Sequence, residues 1–138
     1  MDNAFEIGRV VTPEEFRTVH RDYQKGIYVP AGSDTAASIR FKSEENDQWG
    51  YTDRWLEVGR RLDYTGQGAA PAHQGWNRFN EGLRKAHEAG SPVHVFEVLP
   101  LEPRAYRYCG QMVVSRWYEH FVAEQGRTQL RFILETPD

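Results

Sequence analysis

From residue 92 onward the chain carries four successive segments rich in β-branched and aromatic residues, and this pattern restricts the fold more than any other feature. Two of the connections between them, at 100–103 and 124–127, carry proline or glycine. Short runs of such residues between turn residues predict β-strands. The four segments lie at 93–99, 106–114, 117–122 and 129–134. We therefore expect a sheet built largely from the C-terminal half.

The first half adds two predicted helices and three shorter strands. Thr12, Pro13 and Glu15 form the signature of a capping box with proline in the first turn, so a helical N-terminal segment is expected at about 12–25. Apolar residues at helical spacing after residue 76, stopped by Gly90, predict the second helix. The strands are expected at 27–29, 38–42 and 61–64. The pattern predicts an α+β, mainly β class: a twisted, partly closed β-barrel with two helices packed against it.

Length and composition limit the organisation of the chain. At 138 residues and 16.0 kDa it is expected to form one domain, residues 1–138, with a core of its own. The single cysteine excludes an intramolecular disulfide and is typical of a reducing cytosol. Neither a signal peptide nor an apolar run of about 20 residues is present. A cytoplasmic protein without a membrane partner is predicted.

The net charge of −3 argues against a general nucleic-acid binder, because such proteins are usually basic. It leaves room for a local basic face, since 14 of the 17 basic residues are arginine and arginine suits bidentate phosphate contacts. The alternative is that these charges are ordinary solvated surface. The candidate phosphate contacts are Arg54, Arg60, Arg61, Arg78 and Arg84.

The stretch 47–68 has the composition of a ligand site. Tyr51 is followed closely by Asp53, and Tyr64 is followed at once by Thr65 and a Gly-x-Gly segment. Aromatic faces beside a hydrogen-bond acceptor suit a flat ligand with polar edges, and a nucleobase is the commonest such ligand. The alternative is a tyrosine-rich hairpin whose rings fill the core.

Catalytic chemistry is the weaker interpretation. The five histidines are far apart and have no cysteine partner at zinc-site spacing, so neither a metal nor another cofactor is expected. Cys109 lies between Tyr108 and Gly110 in a predicted strand, where a small buried residue is expected rather than a nucleophile. No phosphate-binding loop, nucleophile elbow or metalloprotease motif is found.

Five motifs in order resemble the SRA domain, also called the YDG domain. They are Trp-Gly-Tyr-x-Asp-x-Trp, Tyr-Thr-Gly-x-Gly, an Asn-x-Gly-Leu helix, His-Val-Phe-Glu and Arg-Tyr-x-Gly, and the match runs over residues 27–134. The chain is most similar to the compact bacterial branch often associated with HNH endonucleases. The resemblance implies a PUA-like fold. The loop 68–75 departs from the family, since alanine and histidine stand where a Gly-Asp pair is common.

The resemblance also implies roles for individual residues. SRA domains flip a modified cytosine out of the duplex, and here Tyr51 and Tyr64 match the two rings that hold it. Asp53 matches the acceptor for the cytosine amino group, and Thr65 matches the residue at the edge of the base. Gly66 and Gly68 match the close-approaching wall, with Trp49 and Trp55 in support.

The function that follows is a non-catalytic, nucleoid-associated reader of 5-methylcytosine in double-stranded DNA, working with a nuclease or other effector. One alternative is an RNA- or nucleotide-binding, even enzymatic, member of the PUA-like group. Another is a protein-interaction module that has lost its pocket.

Overall fold

The computed structural model describes residues 3–22, 24–42, 53–69 and 72–137. Eight strands and two helices are present in these ranges. In chain order they are β1 Val10–Val11, α1 Pro13–Val19, β2 Ile27–Tyr28, β3 Ser38–Phe41, β4 Arg54–Glu57, β5 Arg61–Thr65, α2 Arg78–Ala89, β6 Pro92–Leu99, β7 Ala105–Val122 and β8 Arg127–Glu135.

The strands form one sheet in the order β2-β3-β6-β7-β8-β5-β4, with β1 added alongside β7. Among the strand pairs of the described ranges, the β3–β6 pair alone is parallel. The first half of β7 pairs with β6 and the second half with β8, and both partners meet at Val113. The long strand β7 therefore joins a half-sheet that contains β6 to a half-sheet that contains β5 and β8.

The predicted partly closed barrel is wrong, because the sheet is open. Closure requires the two end strands to pair with each other in a continuous register. Here the end strand β2 contributes two residues, both paired to β3, and the other end strand, β4, pairs with β5. Among the described residues the two ends of the sheet do not pair.

The two helices cover different apolar clusters. On β6, Val93 and Val95 belong to the larger cluster, which includes Leu83 and Ala86 of α2, whereas Phe96 belongs to a smaller cluster around Phe16 of α1. Successive residues of a strand, such as Val95 and Phe96, point to opposite faces, so the two helices lie on opposite faces of the sheet. A bulge at Gly110, whose φ of +89° suits glycine, lets β7 serve both clusters.

The start of α1 and the end of α2 lie where the sequence predicts them, whereas α1 ends earlier than predicted. Thr12 and Glu15 form the predicted capping box, and Gly90 ends α2 in a left-handed conformation. Helix α1 ends at Val19, well before Gly26, because the next residue, His20, turns into the interior. Its imidazole bonds Ser38 Oγ at 2.8 Å and Lys25 O at 2.6 Å. Within the described ranges, neither helix is long and apolar enough to cross a membrane.

The predicted strands are confirmed with two differences. The segments at 106–114 and 117–122 are one strand, β7, whose register shifts between Val114 and Arg116. Strands β1 and β4 were not predicted. Each is short, and the edge strand β4 is mostly exposed, so neither has the alternation of a strand with one buried face.

Candidate nucleic-acid interface

Strand β5 separates the candidate site residues onto two faces. Leu62 and Tyr64 point into the main core, whereas Asp63 and Thr65 point to the opposite face. All four side chains are buried, with Thr65 2% exposed. Adjacent residues of a strand cannot share a face, so the Tyr64 ring and the Thr65 side chain lie on opposite sides of the sheet.

Asp53 is bonded to the end of β5. Its Oδ1 accepts a hydrogen bond from the Thr65 backbone N–H at 2.6 Å. Strand β4 begins at Arg54, opposite Asp63, so Thr65 lies beyond the paired part of β4 and its amide receives a side-chain acceptor in place of a carbonyl. The structure thus brings together two of the predicted site residues, Asp53 and Thr65.

The loop after Thr65 is held by two buried amide side chains. Gln74 donates through Nε2 to Gly66 O at 2.6 Å and to Gly68 O at 3.1 Å, and its Oε1 accepts from the Leu130 N–H. Asn80, at the start of α2, exchanges bonds of 2.7 and 3.0 Å with the backbone of Gln67. Asn80 belongs to the Asn-x-Gly-Leu motif, but neither its contacts nor those of Gln74 were predicted, because a strand or helix period carries no signal for them.

Gly66 is required by the protein's own packing. A Cβ at this position would lie 2.8 Å from Asn80 Oδ1 and 2.9 Å from Leu130 O. Its N–H donates to the same Leu130 carbonyl at 2.6 Å. The resemblance assigned Gly66 to a wall that approaches a nucleotide, and the described contacts show that its small size already serves the join between the loop, α2 and β8.

The loop 68–75 is anchored by a fully buried arginine. Arg127 donates through Nη1 to Gly68 O at 2.6 Å and to Ala72 O at 3.2 Å. His73 Nδ1 accepts from the Thr128 N–H at 2.9 Å. The histidine that departs from the family pattern therefore ties this loop to β8.

Tyr64 is buried within the main core and is 4% exposed. Its hydroxyl lies 2.8 Å from the place a Cβ would take on Gly26, so the absence of a side chain at Gly26 makes room for it. Stacking of a base on this ring stays a prediction. Tyr51 and Trp49 lie outside the described residues, and Trp55 packs edge-on against Phe41 with ring centroids 5.3 Å apart.

The five predicted phosphate-binding arginines have partners within the protein, and their role toward phosphate stays a prediction. Arg60, Arg61 and Arg84 pair with Glu57, Glu135 and Glu81 respectively. Arg78 donates to Val29 O and Pro30 O, which ties α2 to the end of β2. Arg54 is the most exposed of those that form ion pairs, and its Nη2 lies 3.9 Å from Asp63 Oδ2.

Asp63 is the centre of a buried polar network on the Thr65 face. Its Oδ1 accepts from Arg131 Nε at 2.8 Å and its Oδ2 from the Tyr118 hydroxyl at 2.8 Å. Burial and the bond to Asp63 raise the pKa of Tyr118. Arg131 was not predicted, although the alternation of Arg127, Gln129 and Arg131 along β8 is a visible sign of a polar row.

Cys109 behaves as the sequence predicted. It is 8% exposed, and burial raises the pKa of its thiol to about 12. The thiol therefore stays protonated near neutral pH, which is the state of a packing residue rather than a nucleophile.

The solved structures to which this chain is similar include SRA domains. The SUVH5 SRA domain in complex with fully methylated CG DNA is 26% identical, with a TM-score of 0.75 over 96% of this chain and 88% of that chain. The SUVH5 SRA domain bound to fully hydroxymethylated CG DNA gives the same identity and TM-score. KRYPTONITE, solved with mCHG DNA and SAH, is 21% identical with a TM-score of 0.74, and 32% of its chain is covered.

No family model matches the sequence, and no curated protein matches it. The assignment of the fold rests on the solved structures, because their superposition covers 96% of this chain. The place of this chain in a compact bacterial branch stays a prediction. The fold of this chain is that of the SRA domains.

Proposed function

We propose that this chain reads modified cytosine in double-stranded DNA by holding a flipped base at the Asp53–Thr65 edge, without a catalytic step of its own. The SRA structures that this chain resembles at 25–26% identity include complexes with methylated CG, methylated CHH and hydroxymethylated CG DNA. Those ligands belong to SUVH5, and their extension to this chain is our inference.

The observation that carries the proposal is the bond between Asp53 and the Thr65 amide. It fixes a carboxylate at the end of β5, next to the residue that the family places at the base edge. A carboxylate can accept about four hydrogen bonds, so the bond to Thr65 is compatible with a further donor. The exocyclic amino group of cytosine is such a donor, whereas thymine presents a carbonyl oxygen there and would be repelled.

The energies favour selectivity for a modified base. Unstacking and unpairing a base costs a few kcal/mol, and stacking on an aromatic side chain returns about 1–3 kcal/mol. A hydrogen bond to a charged acceptor adds about 1.5–3 kcal/mol. Because the balance is close, a buried methyl group worth about 0.8 kcal/mol has a visible effect on affinity.

A reader without chemistry acts through another protein, so we expect a nuclease or other DNA-acting effector as its partner. The buried Cys109, with its raised thiol pKa, supports a non-catalytic role because it removes the one thiol from consideration as a nucleophile.

A fluorescence anisotropy titration tests the function directly. Duplexes of one sequence carrying cytosine, 5-methylcytosine or 5-hydroxymethylcytosine would be compared with the corresponding RNA at one salt concentration. We expect the methylated duplex to bind about tenfold more tightly than the unmodified one, equivalent to about 1.4 kcal/mol. Equal affinity for the three duplexes contradicts the proposal, preference for RNA favours the PUA-like alternative, and absence of binding favours an interaction module.

A further inference from the structure

A buried network lies on the sheet face opposite the main core, and only its member Thr65 belongs to the base site as assigned above. We call it the Arg131 network. Arg131 is 4% exposed and Asp63 is 2% exposed, although both carry formal charge. The members are Asp63, Thr65, Tyr118, Gln129 and Arg131.

Arg131 connects two residues of β5 at once. It lies directly across from Thr65 in the β5–β8 register. Its Nε donates to Asp63 Oδ1 at 2.8 Å, and its Nη1 donates to Thr65 Oγ1 at 2.8 Å. The same Nη1 also donates to Gln129 Oε1 at 2.9 Å. A guanidinium is planar and rigid, so these bonds fix the angle at which the Thr65 side chain leaves the strand.

Thr65, whose side chain Arg131 holds, is also the residue that bonds Asp53. With its side chain bonded to Arg131, Thr65 donates its backbone N–H to Asp53 Oδ1 at 2.6 Å. A path of short contacts therefore runs from Asp63 through Arg131 and Thr65 to the carboxylate of Asp53. Rotation of the Thr65 peptide would move that carboxylate.

Stability alone is a poor reason for such a network. Removing two charges from water carries a desolvation penalty, and well-packed apolar residues of similar volume often stabilise a protein equally well or better. A pair of apolar side chains would not, however, set the direction of the Thr65 hydroxyl and amide. Directional control is what the ionic arrangement adds.

We propose that Arg131 is a positioning residue that holds Thr65, and through it Asp53, in the geometry that discriminates modified from unmodified cytosine. This inference rests on the proposed function, because discrimination is its readout. It does not place Arg131 in contact with DNA.

The first test separates positioning from stability. The double variant Asp63→Leu with Arg131→Met replaces the ion pair by apolar residues and leaves Thr65 and Asp53 unchanged. We expect it to melt close to the parent and to retain general DNA affinity, while the preference for methylated duplex falls from about tenfold to below about threefold. Val98→Ala, in the smaller cluster around α1, is the control for a loss of packing and should keep the full preference.

A second pair of variants tests the Thr65 hydroxyl itself and remains informative if the double variant does not fold. Thr65→Ser keeps the acceptor for Arg131, whereas Thr65→Val keeps the methyl group and the shape. Positioning predicts that Ser retains the preference and Val loses it. If the Thr65 methyl simply packed against the base, Val would retain it and Ser would lose it, which would overturn the proposal.

An amide-exchange measurement separates failure of this inference from failure of the proposed function. In the double variant we expect the Thr65 amide to exchange hydrogen at least about tenfold faster, because exchange reports how often the strand opens locally. The Tyr108 amide, which donates to Arg9 O, is the control and should exchange at an unchanged rate. A parent without methyl preference would reject the proposed function, and the exchange rates would still decide whether Arg131 positions Thr65. Unchanged exchange at Thr65 would overturn the positioning role.

Discussion

Asp53 has a structural task as well as a proposed binding task. Thr65 is 2% exposed, and its N–H donates to the Asp53 carboxylate. An unsatisfied buried donor costs about 1–3 kcal/mol. A residue that appears from the sequence to lie in a loop therefore also closes the hydrogen bonding of β5.

Asp53→Asn and Asp53→Ala should consequently differ in both stability and binding. Asparagine keeps a carbonyl oxygen for the Thr65 N–H, so we expect a melting temperature near that of the parent and a moderate loss of methylated-duplex affinity. Alanine removes the acceptor, and we expect a loss of about 1–3 kcal/mol in the free energy of unfolding together with most of the specific binding. Denaturant unfolding and anisotropy titrations measure the two effects. Parent-like behaviour of the alanine variant in both assays would remove Asp53 from the site.

Tyr64 is buried, so a substitution that tests its role in binding must keep most of its volume. Tyr64→Ala would leave a cavity in the main core, and truncation of a large aromatic core residue costs about 3–5 kcal/mol, which would obscure any effect on binding. Tyr64→Leu keeps more of the volume but removes the ring, and Tyr64→Phe keeps the ring. We expect Phe to bind methylated duplex like the parent and Leu to bind it at least about fivefold more weakly, through lost stacking.

Both variants should be titrated at a temperature at which circular dichroism shows them folded. Equal affinity of the Leu and Phe variants would mean that Tyr64 serves the core alone, which is the tyrosine-rich hairpin alternative.

At the scale of elements, the β4–β5 hairpin carries three of the five candidate phosphate contacts, Arg54, Arg60 and Arg61. Arg60 and Arg61 pair with Glu57 and Glu135, so each would have to exchange a carboxylate for a phosphate. Arg54 is 69% exposed in its side chain and lies 3.9 Å from the nearest Asp63 oxygen. It is the member of this hairpin that is best prepared to contact DNA.

We expect Arg54→Gln to weaken binding to methylated and unmodified duplex alike and to reduce the slope of log affinity against log salt by about one phosphate contact. The double variant Arg60→Gln with Arg61→Gln should reduce the slope by less than two contacts, because those charges are already partly compensated. Titrations at several salt concentrations give the slopes. A change in methyl discrimination without a change in slope would show that these arginines were misassigned.

The join between α1 and the β2–β3 pair should be sensitive to acid through His20. Burial lowers the pKa of His20 from 6.5 to about 4, and its ring bonds both Ser38 and Lys25 O. The unfolded chain therefore binds the proton more readily than the folded protein does. The stabilising effect of a neutral His20 is fully present above about pH 6.5 and is lost as the pH falls toward 4.

Denaturant unfolding between pH 7 and pH 4 measures this effect. We expect His20→Gln to be less stable than the parent at pH 7 and to lose less stability on acidification, with the difference between the two proteins shrinking by about 3 kcal/mol at most. A constant difference across this range would show that His20 does not titrate with folding.

At the scale of the whole molecule, the elements were more predictable than their assembly. The capping box at Thr12, the helix stop at Gly90 and the strands of the C-terminal half are predicted from local patterns, and all are confirmed. The openness of the sheet depends on whether β2 and β4 meet, and no local pattern encodes that. The short strands β1 and β4 gain their pairing from neighbours distant in sequence.

The candidate site was also predictable only in part, because local motifs are visible in the sequence and contacts between distant residues are not. The order of motifs pointed to Asp53 and Thr65, and the structure joins them by a hydrogen bond. Gln74, Asn80 and Arg131 act through contacts with residues that lie far away in the sequence or through the geometry of a loop. The motif around Asn80 and the polar row that ends at Arg131 were visible in the sequence, but the partners of these side chains were not. Burial of a polar side chain is visible only after folding.

The net charge of −3 bears on how the whole molecule would attract DNA. Four of the candidate arginines form ion pairs with carboxylates, so their positive charge is partly compensated. We therefore expect recognition of DNA to rely on the proposed base site more than on general attraction to phosphate.

A crystal structure of the chain with a duplex that carries one 5-methylcytosine tests the central claim most directly. We predict that the methylated base is extrahelical, with its exocyclic amino nitrogen about 2.7–3.2 Å from an Asp53 carboxylate oxygen and its edge beside Thr65. A complex in which the methylated cytosine stays stacked in the duplex, or is flipped into a site away from Asp53 and Thr65, would contradict the account.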